Sequence, residues 1–485
     1  MHDSNGVDAL LRILTRVKRL GWQQLYEEDI WNHSTPKGVT LETLHSIRLA
    51  LAESKSCMAA LDEIASHVST RIRLLQKKSA AAVLEEGIKL LPDEILGHIF
   101  EVGHLMTEDC AFSLRVSRVS RRFREVSVRT PILWTRFSAH FPDSQIHAFI
   151  ARSGQRDLDV STCVPGTDPA RVEAFLQTLG DHSSRWSRLF LNKEQAESPI
   201  NDLNCTNFPR LNFLYFSSQV GLSDWSTPVL SHIHARNWYA SPDVPFCPQL
   251  THVELSYDDM IDVPAADIAE TLCCMTNLQE LSLTLEKCSD VDSFVAAEDT
   301  RERHSVRIEK LNIRIRDKTK QQVVVHIYDA LSYLIPTTLD IQLTDLDDED
   351  SFEFFVGSSG LFPYAFIMNI RISEVTTTGV IPLLSKLSSN CDIAHTVNLE
   401  APMETFIDES YLGHHWSSFS NLRNISFKYC DRLSETQVEQ LAEHLFVTAE
   451  GEGLQSLRII SCRQISEEFM RDLEDKFGDK IVWKL

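Results

Sequence analysis

Residues 422–445, LRNISFKYCDRLSETQVEQLAEHL, and residues 454–477, LQSLRIISCRQISEEFMRDLEDKF, align without a gap. Leu422 matches Leu454, Ile425 matches Leu457, Phe427 matches Ile459, Cys430 matches Cys462 and Leu433 matches Ile465. Each copy reads as a short strand of alternating apolar residues, then a turn, then a helix. Upstream, the pattern apolar-x-x-apolar-x-apolar recurs at Trp186/Leu189/Leu191, Leu211/Leu214/Phe216, Leu230/Ile233/Ala235 and Leu250/Val253/Leu255. It continues at Leu278/Leu281/Leu283, Ile308/Leu311/Ile313 and Ile367/Ile370/Ile372, with weaker copies at Leu158/Val160, Ile341/Leu343 and Val397/Leu399. Counted from Leu158 through Ile341 and Ile370 to Leu457, successive copies lie 19 to 32 residues apart. A unit this small cannot bury its apolar face alone and stacks on its neighbours. Residues 149–485 are therefore expected to form an irregular solenoid of α/β repeats. The apolar strand positions would fill its core, and the x positions would face its concave surface. Cys430 and Cys462 fall in the turn after the strand and are expected to be buried as small apolar groups.

The chain has 485 residues, 43% apolar and 24% charged, values that exclude wholesale disorder and collagen-like structure. Its 47 Lys and Arg against 69 Asp and Glu give a net charge of −22. So acidic a chain repels a phosphate backbone, and no nucleic-acid partner is expected. No apolar run is long enough to span a bilayer, so no membrane partner is expected either. The amino terminus, MHDSNGVDAL, lacks the basic segment of a signal peptide. Eleven cysteines without a CxxC pair point to reduced thiols in the cytoplasm or nucleus rather than to disulfides or a zinc ribbon. The acidic run Asp345, Asp347, Asp348, Glu349 and Asp350 lacks the glycine and distal glutamate of a calcium loop and reads as a solvated loop. There is no GxSxG elbow, HExxH, phosphate-binding GxxxxGK[ST] or kinase set, and the doublet His414-His415 has no ligand partner nearby. No catalytic residue, cofactor or metal is expected.

The first 88 residues read as long helices. After the breaker Ser34-Thr35-Pro36-Lys37-Gly38, apolar or small residues recur at Leu44, Ile47, Leu51, Ser54, Met58, Leu61, Ala65, Val68, Ile72 and Leu75. Their alternating spacing of three and four is a heptad seam, and no Pro or Gly interrupts Val39–Glu86. Two partners for the seam remain open: a second copy, through residues 44–75, or a hairpin with the amphipathic segment Ala9–Leu25.

Gly87 and Pro92 then punctuate the chain. Pro92 suits the first turn of a helix, and Asp93 and Glu94 suit the positive end of its dipole. Ile95, Leu96, Ile99 and Phe100 are expected on one apolar face. A second helical stretch is expected over Asp109–Arg124, ended by Thr130-Pro131. Arg115–Arg129 holds six arginines and one acid. This unit of about 50 residues, 89–138, is small for its apolar content and calls for a partner.

The string LPDEILGHIF (91–100) followed by RVSRVSRRFREVSVRTPILWTRF (115–137) resembles the F-box. Leu91-Pro92 opens the family pattern, Val119-Ser120-Arg121-Arg122-Phe123-Arg124 stands for its Val-Cys-Arg-x-Trp-Arg block, and Leu133-Trp134 closes it. Ser120 replaces the usual Cys, and Phe123 the usual Trp. The segment FIARSGQRDLDVS (149–161) is similar to the stretch that succeeds the F-box in fungi of the basidiomycete type, with Arg152-Ser153-Gly154 as a turn before the first strand. The cysteine-containing copies resemble the leucine-rich repeat common behind F-boxes. The resemblance implies a three-helix F-box that docks on the Skp-type adaptor of a cullin ubiquitin ligase. Its anchors would be Leu91, Pro92, Ile95, Leu96, Ile99, Phe100, Val119, Phe123 and Trp134. The repeats would hold an unknown protein substrate, and the arginines would steer docking onto an acidic adaptor. A scaffold or sensor that uses the same parts outside any ligase remains the alternative.

Overall fold

The computed structural model describes residues 7–8, 10–19, 41–108, 111–163, 168–191, 206–217, 222–238, 244–260, 262–291, 306–346, 365–373, 384, 387, 393–402, 422–447 and 454–484. The breaker at 34–38, the acidic run beyond Leu346 and the doublet His414-His415 lie outside them. The chain divides into two compact units, Met1–Ile99 and Phe100–Leu485.

The first unit is helical. Residues 10–19 form helix α1, and Leu41–Leu90 form the 50-residue helix α2. Leu10, Cys57 and Ala60 make a small buried cluster with Ile13 packed against it, so among the described residues α1 meets α2 around Cys57 and Ala60. Among the described seam residues, Leu51, Met58, Leu61, Val68, Ile72 and Leu75 are all exposed. Cys57 and Ala60 lie beside the seam because contact with α1 selects small residues that admit close approach. Helix α3, Asp93–Leu105, begins in this unit.

The second unit continues through α4 (Phe112–Ser117), α5 (Arg121–Val128) and a 3-10 turn at Pro131–Trp134. The stretch expected as one helix over Asp109–Arg124 is thus broken, with residues 109–110 outside the described ones. The break lies at Ser120, whose extended backbone (φ −157°, ψ 171°) lets its hydroxyl accept the Phe123 N–H at 3.1 Å. A serine that caps a new helix cannot also continue the old one.

Beyond the turn lies a sheet of 14 parallel strands in sequence order, open at both edges among the described residues. Its strands are β1 (Arg136–Ser138), β2 (Leu158–Ser161), β3 (Trp186–Leu191), β4 (Phe213–Ser217), β5 (His232–Arg236), β6 (His252–Asp258), β8 (Glu280–Glu286) and β10 (Val306–Arg316). It continues with β11 (Leu334–Thr344), β12 (Ile367–Ser373), β13 (Thr396–Glu400), β14 (Asn424–Lys428), β15 (Ser456–Ile460) and β16 (Ile481–Lys484). β7 (Asp262–Val263) and β9 (Asp290–Val291) pair separately. Helices connect several strands: α6 (Asp143–Ser153), α7 (Pro169–Gly180), α8 (Ala265–Cys273), α9 (Gln321–Leu331), α10 (Glu435–Val447) and α11 (Glu467–Phe477).

The alternation along each strand becomes rows across the sheet. Phe137, Val160, Leu189, Leu214, Ile233, Val253 and Leu281 are register partners in turn, and the row runs on through Leu311, Leu339, Met368, Val397, Ile425, Leu457 and Ile481. Every member is buried, each burial being worth roughly 1.5–3 kcal/mol before entropy. This register corrects three of the expected positions. Val160 rather than Leu158 pairs with Leu189, Leu339 rather than Ile341 with Leu311, and Met368 rather than Ile370 with Leu339. Corrected, the steps from Val253 to Ile425 all fall between 28 and 30 residues. The sheet also starts at Arg136, ahead of residue 149, and Arg152 and Ser153 end helix α6 while Gly154 (φ 59°) makes the turn.

A recurrent turn holds the strands in step. Asn237, Asp259, Lys287, Asp317, Asp345, Tyr429 and Ser461 each follow a strand directly and each has a positive φ of 48–54°. Each donates its N–H to a carbonyl of the next strand, at 2.6–3.4 Å. Cys288, Cys430 and Cys462 come immediately after three of these turns and are buried. Their Sγ atoms lie 3.6–3.9 Å from strand carbonyls. Burial pushes the Cys288 thiol up to about 11, and a hydrogen bond with Cys462 together with burial raises Cys430, so neither is a ready thiolate.

Candidate functional site

Helix α3 carries two apolar stripes. Leu96 and Phe100 are 2% and 4% exposed, and His104 continues their buried row. Ile95 and Ile99 are 49% and 48% exposed, and Val102 and Met106 continue outward along the same side. The single face expected for Ile95, Leu96, Ile99 and Phe100 is thus divided, because adjacent helical residues point about 100° apart. Leu91 is half-buried and Pro92 exposed; the Pro92 carbonyl accepts the Leu96 N–H at 3.1 Å. Acidic Asp93 and Glu94 occupy the first turn.

Within the second unit, α3 and α4 approach closely. A Cβ on Gly103 would lie 2.6 Å from Cζ of Phe112, so glycine is what lets the ring seat there. The half-buried Phe123 ring lies 5.1 Å from that of Phe100. Val119 is 63% exposed, in the short bend before the Ser120 cap. Trp134, expected as a docking anchor, has no exposed surface. Its Nε1 donates to the Ser127 carbonyl at 2.8 Å, its ring meets Phe149 edge-on at 4.9 Å, and the Arg152 guanidinium stacks 4.5 Å from it. Phe137 and Phe141 also meet Phe149, so the end of this helical region and the start of the sheet share one aromatic core. Arg136 ties the two further, donating to the Thr107 carbonyl and lying 3.7 Å from Asp159.

His104 is 2% exposed, and its Nδ1 has no hydrogen-bond partner among the described residues. Burial, and then the nearby Arg136 charge, lower it to about 4, so the imidazole is neutral near pH 7. Arg115, Arg118, Arg121, Arg124 and Arg129 are exposed. Arg121 pairs with Glu125 at 3.0 Å, and Arg124 donates to the Ser117 carbonyl.

The second surface is the outward row of the sheet, which sequence reading marked only as x positions. Its first part is aromatic. Arg188 lies over Phe190 and Phe213, Tyr215 meets His234 edge-on, and His232 stacks on His252 at 4.2 Å. Glu254 and Glu280 lie 3.5 Å from His234 and 3.9 Å from His252. Its second part, across β10–β14, is an open hollow of about 460 Å³ lined by Lys310, Asn312, Arg314, Asp340, Gln342, Asn369, Arg371, Asn398, Glu400, Ser426 and Lys428. Amides run along its floor: Nδ2 of Asn312 donates to Ser282, that of Asn369 to Asp340, and that of Asn398 to Oδ1 of Asn369.

Among the described residues no group of three or more His, Cys, Asp or Glu is placed to hold a metal ion. Nor, among them, is any helix long and apolar enough to cross a membrane. No curated protein matches the chain. Residues 88–140 match the family model described as F-box-like, and there the chain carries an F-box-like domain.

Proposed function

We propose that this chain is the substrate-recognition adaptor of a Skp–cullin–F-box ubiquitin ligase. The observation that carries the reading is the outward stripe of α3, apolar and unburied, inside an F-box-like domain. Ile95 and Ile99 on α3, preceded in the chain by Leu91 and Pro92, dock on the Skp-type adaptor, and Val119 is a further anchor. Leu96, Phe100 and Trp134 are buried and Phe123 is half-buried, so they serve the fold and not the contact itself. The exposed arginines of α4 and α5 speed encounter with an acidic adaptor. Residues 89–138 are the F-box, its last residues forming β1 of the sheet, and residues 149–485 continue that sheet as an irregular leucine-rich-repeat-like solenoid of the kind found behind F-boxes in basidiomycete fungi. Its outward row holds a protein substrate, and the complex works in the cytoplasm or nucleus. The chain performs no bond chemistry and accelerates transfer by raising the local concentration of substrate lysines near the loaded enzyme.

Residues 1–88 form a separate helical region in which the open seam of α2, within residues 44–75, pairs with a second copy. Full burial of several such side chains contributes roughly 1.5–3 kcal/mol each, enough to offset the ordering of two helices. Substituting Leu61 and Ile72 by Asp is expected to turn a dimer into a monomer in sedimentation; a wild-type monomer contradicts this part alone.

The test of the main reading is affinity capture of the full chain from cells, probed for the Skp-type adaptor and for cullin. Recovery of both is expected. Recovery of the adaptor without cullin refutes the ligase reading in favour of a non-ligase scaffold or sensor.

A further inference from the structure

The outermost row of the hollow reads, strand by strand, Arg314, Gln342, Arg371, Glu400 and Lys428, each the register partner of the next. Its cations therefore occupy alternate strands and are all exposed. Neighbouring strands lie roughly 4.8 Å apart, so the cations repeat at roughly 9–10 Å. Arg371 is held by Glu400 at 2.9 Å, whereas Arg314 and Lys428 carry no ion pair among the described residues. On a chain of net charge −22, a row presenting three cations against one carboxylate is a local reversal of sign. It favours an anionic occupant by charge complementarity.

The spacing narrows the occupant. Side chains on one side of a β-strand repeat at about 6.6 Å, which matches neither neighbouring pair of cations, Arg314 with Arg371 or Arg371 with Lys428. Those of a polyproline-II segment repeat every third residue, about 9.3 Å, which does. A helix with acids seven residues apart approaches the same spacing, but its backbone is already satisfied. A polyproline-II backbone keeps its carbonyls free. Below the cation row, the amides of Asn312, Asn369 and Asn398 each commit one N–H to the ladder and retain a second for such carbonyls.

We propose that the hollow across β10–β14 binds an acidic peptide segment in an extended, polyproline-II-like conformation, with carboxylates at every third residue meeting Arg314, Arg371 and Lys428. Glu400 and Gln342, between the cations, set the register, since a peptide displaced along the row by one strand, roughly 4.8 Å, brings its carboxylates to a like charge or a neutral amide. The proposal rests on the reading of the outward row as the substrate surface and names the chemistry of what that surface takes.

The experiment is fluorescence anisotropy of the full chain with a labelled peptide bearing Glu at every third position and Pro and Ala between. Three competitors are added in turn. They are the same composition with the glutamates consecutive, a helix-forming peptide with Glu at every seventh position, and single-stranded DNA of equal charge. The spaced extended peptide is expected to bind, and each competitor to be weaker by about tenfold. The paired substitutions Arg314→Glu and Lys428→Glu are expected to weaken binding by at least about tenfold, and the milder Arg314→Gln with Lys428→Gln by several-fold. Absence of binding, equal binding of any competitor, or indifference to both variant pairs overturns the proposal. Adaptor capture with the same variants separates the two claims. If the adaptor is retained while the peptide fails, only the acidic-peptide proposal falls. If the adaptor is never captured, the ligase reading falls and the peptide result stands by itself.

Discussion

Lowering the pH is expected to loosen the F-box-like domain through one residue, His104. Folded, its imidazole titrates at about 4 because burial and the Arg136 charge oppose a second proton. Unfolded, it returns to its ordinary value near 6.5. Between these two values the unfolded chain binds more protons than the folded one, so stability falls as pH falls. Above pH 6.5 both states are neutral and His104 contributes no slope. Below about 4 both are protonated and the loss is complete. Each pH step between them costs about 1.4 kcal/mol, giving a total on the order of 3 kcal/mol. The assay is hydrogen exchange with mass spectrometry on peptides from α3 to α5, corrected for intrinsic rates, from pH 7 to pH 4. Wild type is expected to lose protection by roughly 100-fold over that interval, beyond the loss shown by His104→Gln, which cannot take the proton. Parallel pH profiles for the two proteins would overturn this expectation, since they would mean that His104 accepts a proton in place without cost.

Three further perturbations probe the same framework. Trp134→Phe removes the bond to the Ser127 carbonyl and shrinks the ring beneath Arg152 inside a closed core. A loss of about 2 kcal/mol in denaturant unfolding is expected, whereas a surface tryptophan would show almost none. Ser120→Ala removes the cap on the Phe123 N–H and is expected to cost about 1 kcal/mol, seen as faster exchange confined to the first turn of α5. At Ser461, whose φ is 53°, substitution by Gly is expected to leave the melting temperature unchanged or raised. Ser461→Val at the same place is expected to lower stability by about 1–2 kcal/mol, as β-branching opposes that backbone.

The strand rows were legible because a period of two survives any context. The aligned pair Ile425/Phe427 and Leu457/Ile459 takes adjacent strands in the expected register. Register elsewhere was not legible. β11 offers Leu339, Ile341 and Leu343 in alternation, and β12 offers Met368, Ile370 and Ile372, so a slide of two residues keeps every side chain on its face. Only the hydrogen-bonded neighbour decides between such registers. The helix break at Ser120 was hidden because arginines and valines on both sides suit a helix equally. Cys288 was missed as the counterpart of Cys430, since the sequence that succeeds it does not align with the stretches after Cys430 and Cys462. The division of α3 into inward and outward stripes depends on what covers Leu96 and Phe100 while leaving Ile95 and Ile99 bare, and composition alone does not carry that. The aromatic and cationic parts of the outward row come from residues as far apart as Arg188 and Lys428, which only the stacking of strands brings onto one surface.

We propose that the outward stripe of α3 meets the Skp-type adaptor. The most direct test is the dissociation constant for that adaptor of the full chain carrying Ile95→Asp and Ile99→Asp. Both side chains are half-exposed, so folding is expected to survive, with an unchanged melting profile. Affinity is expected to fall on the order of 100-fold, from lost apolar burial and the desolvation of two new charges. An unchanged dissociation constant in a folded double variant would contradict the claim.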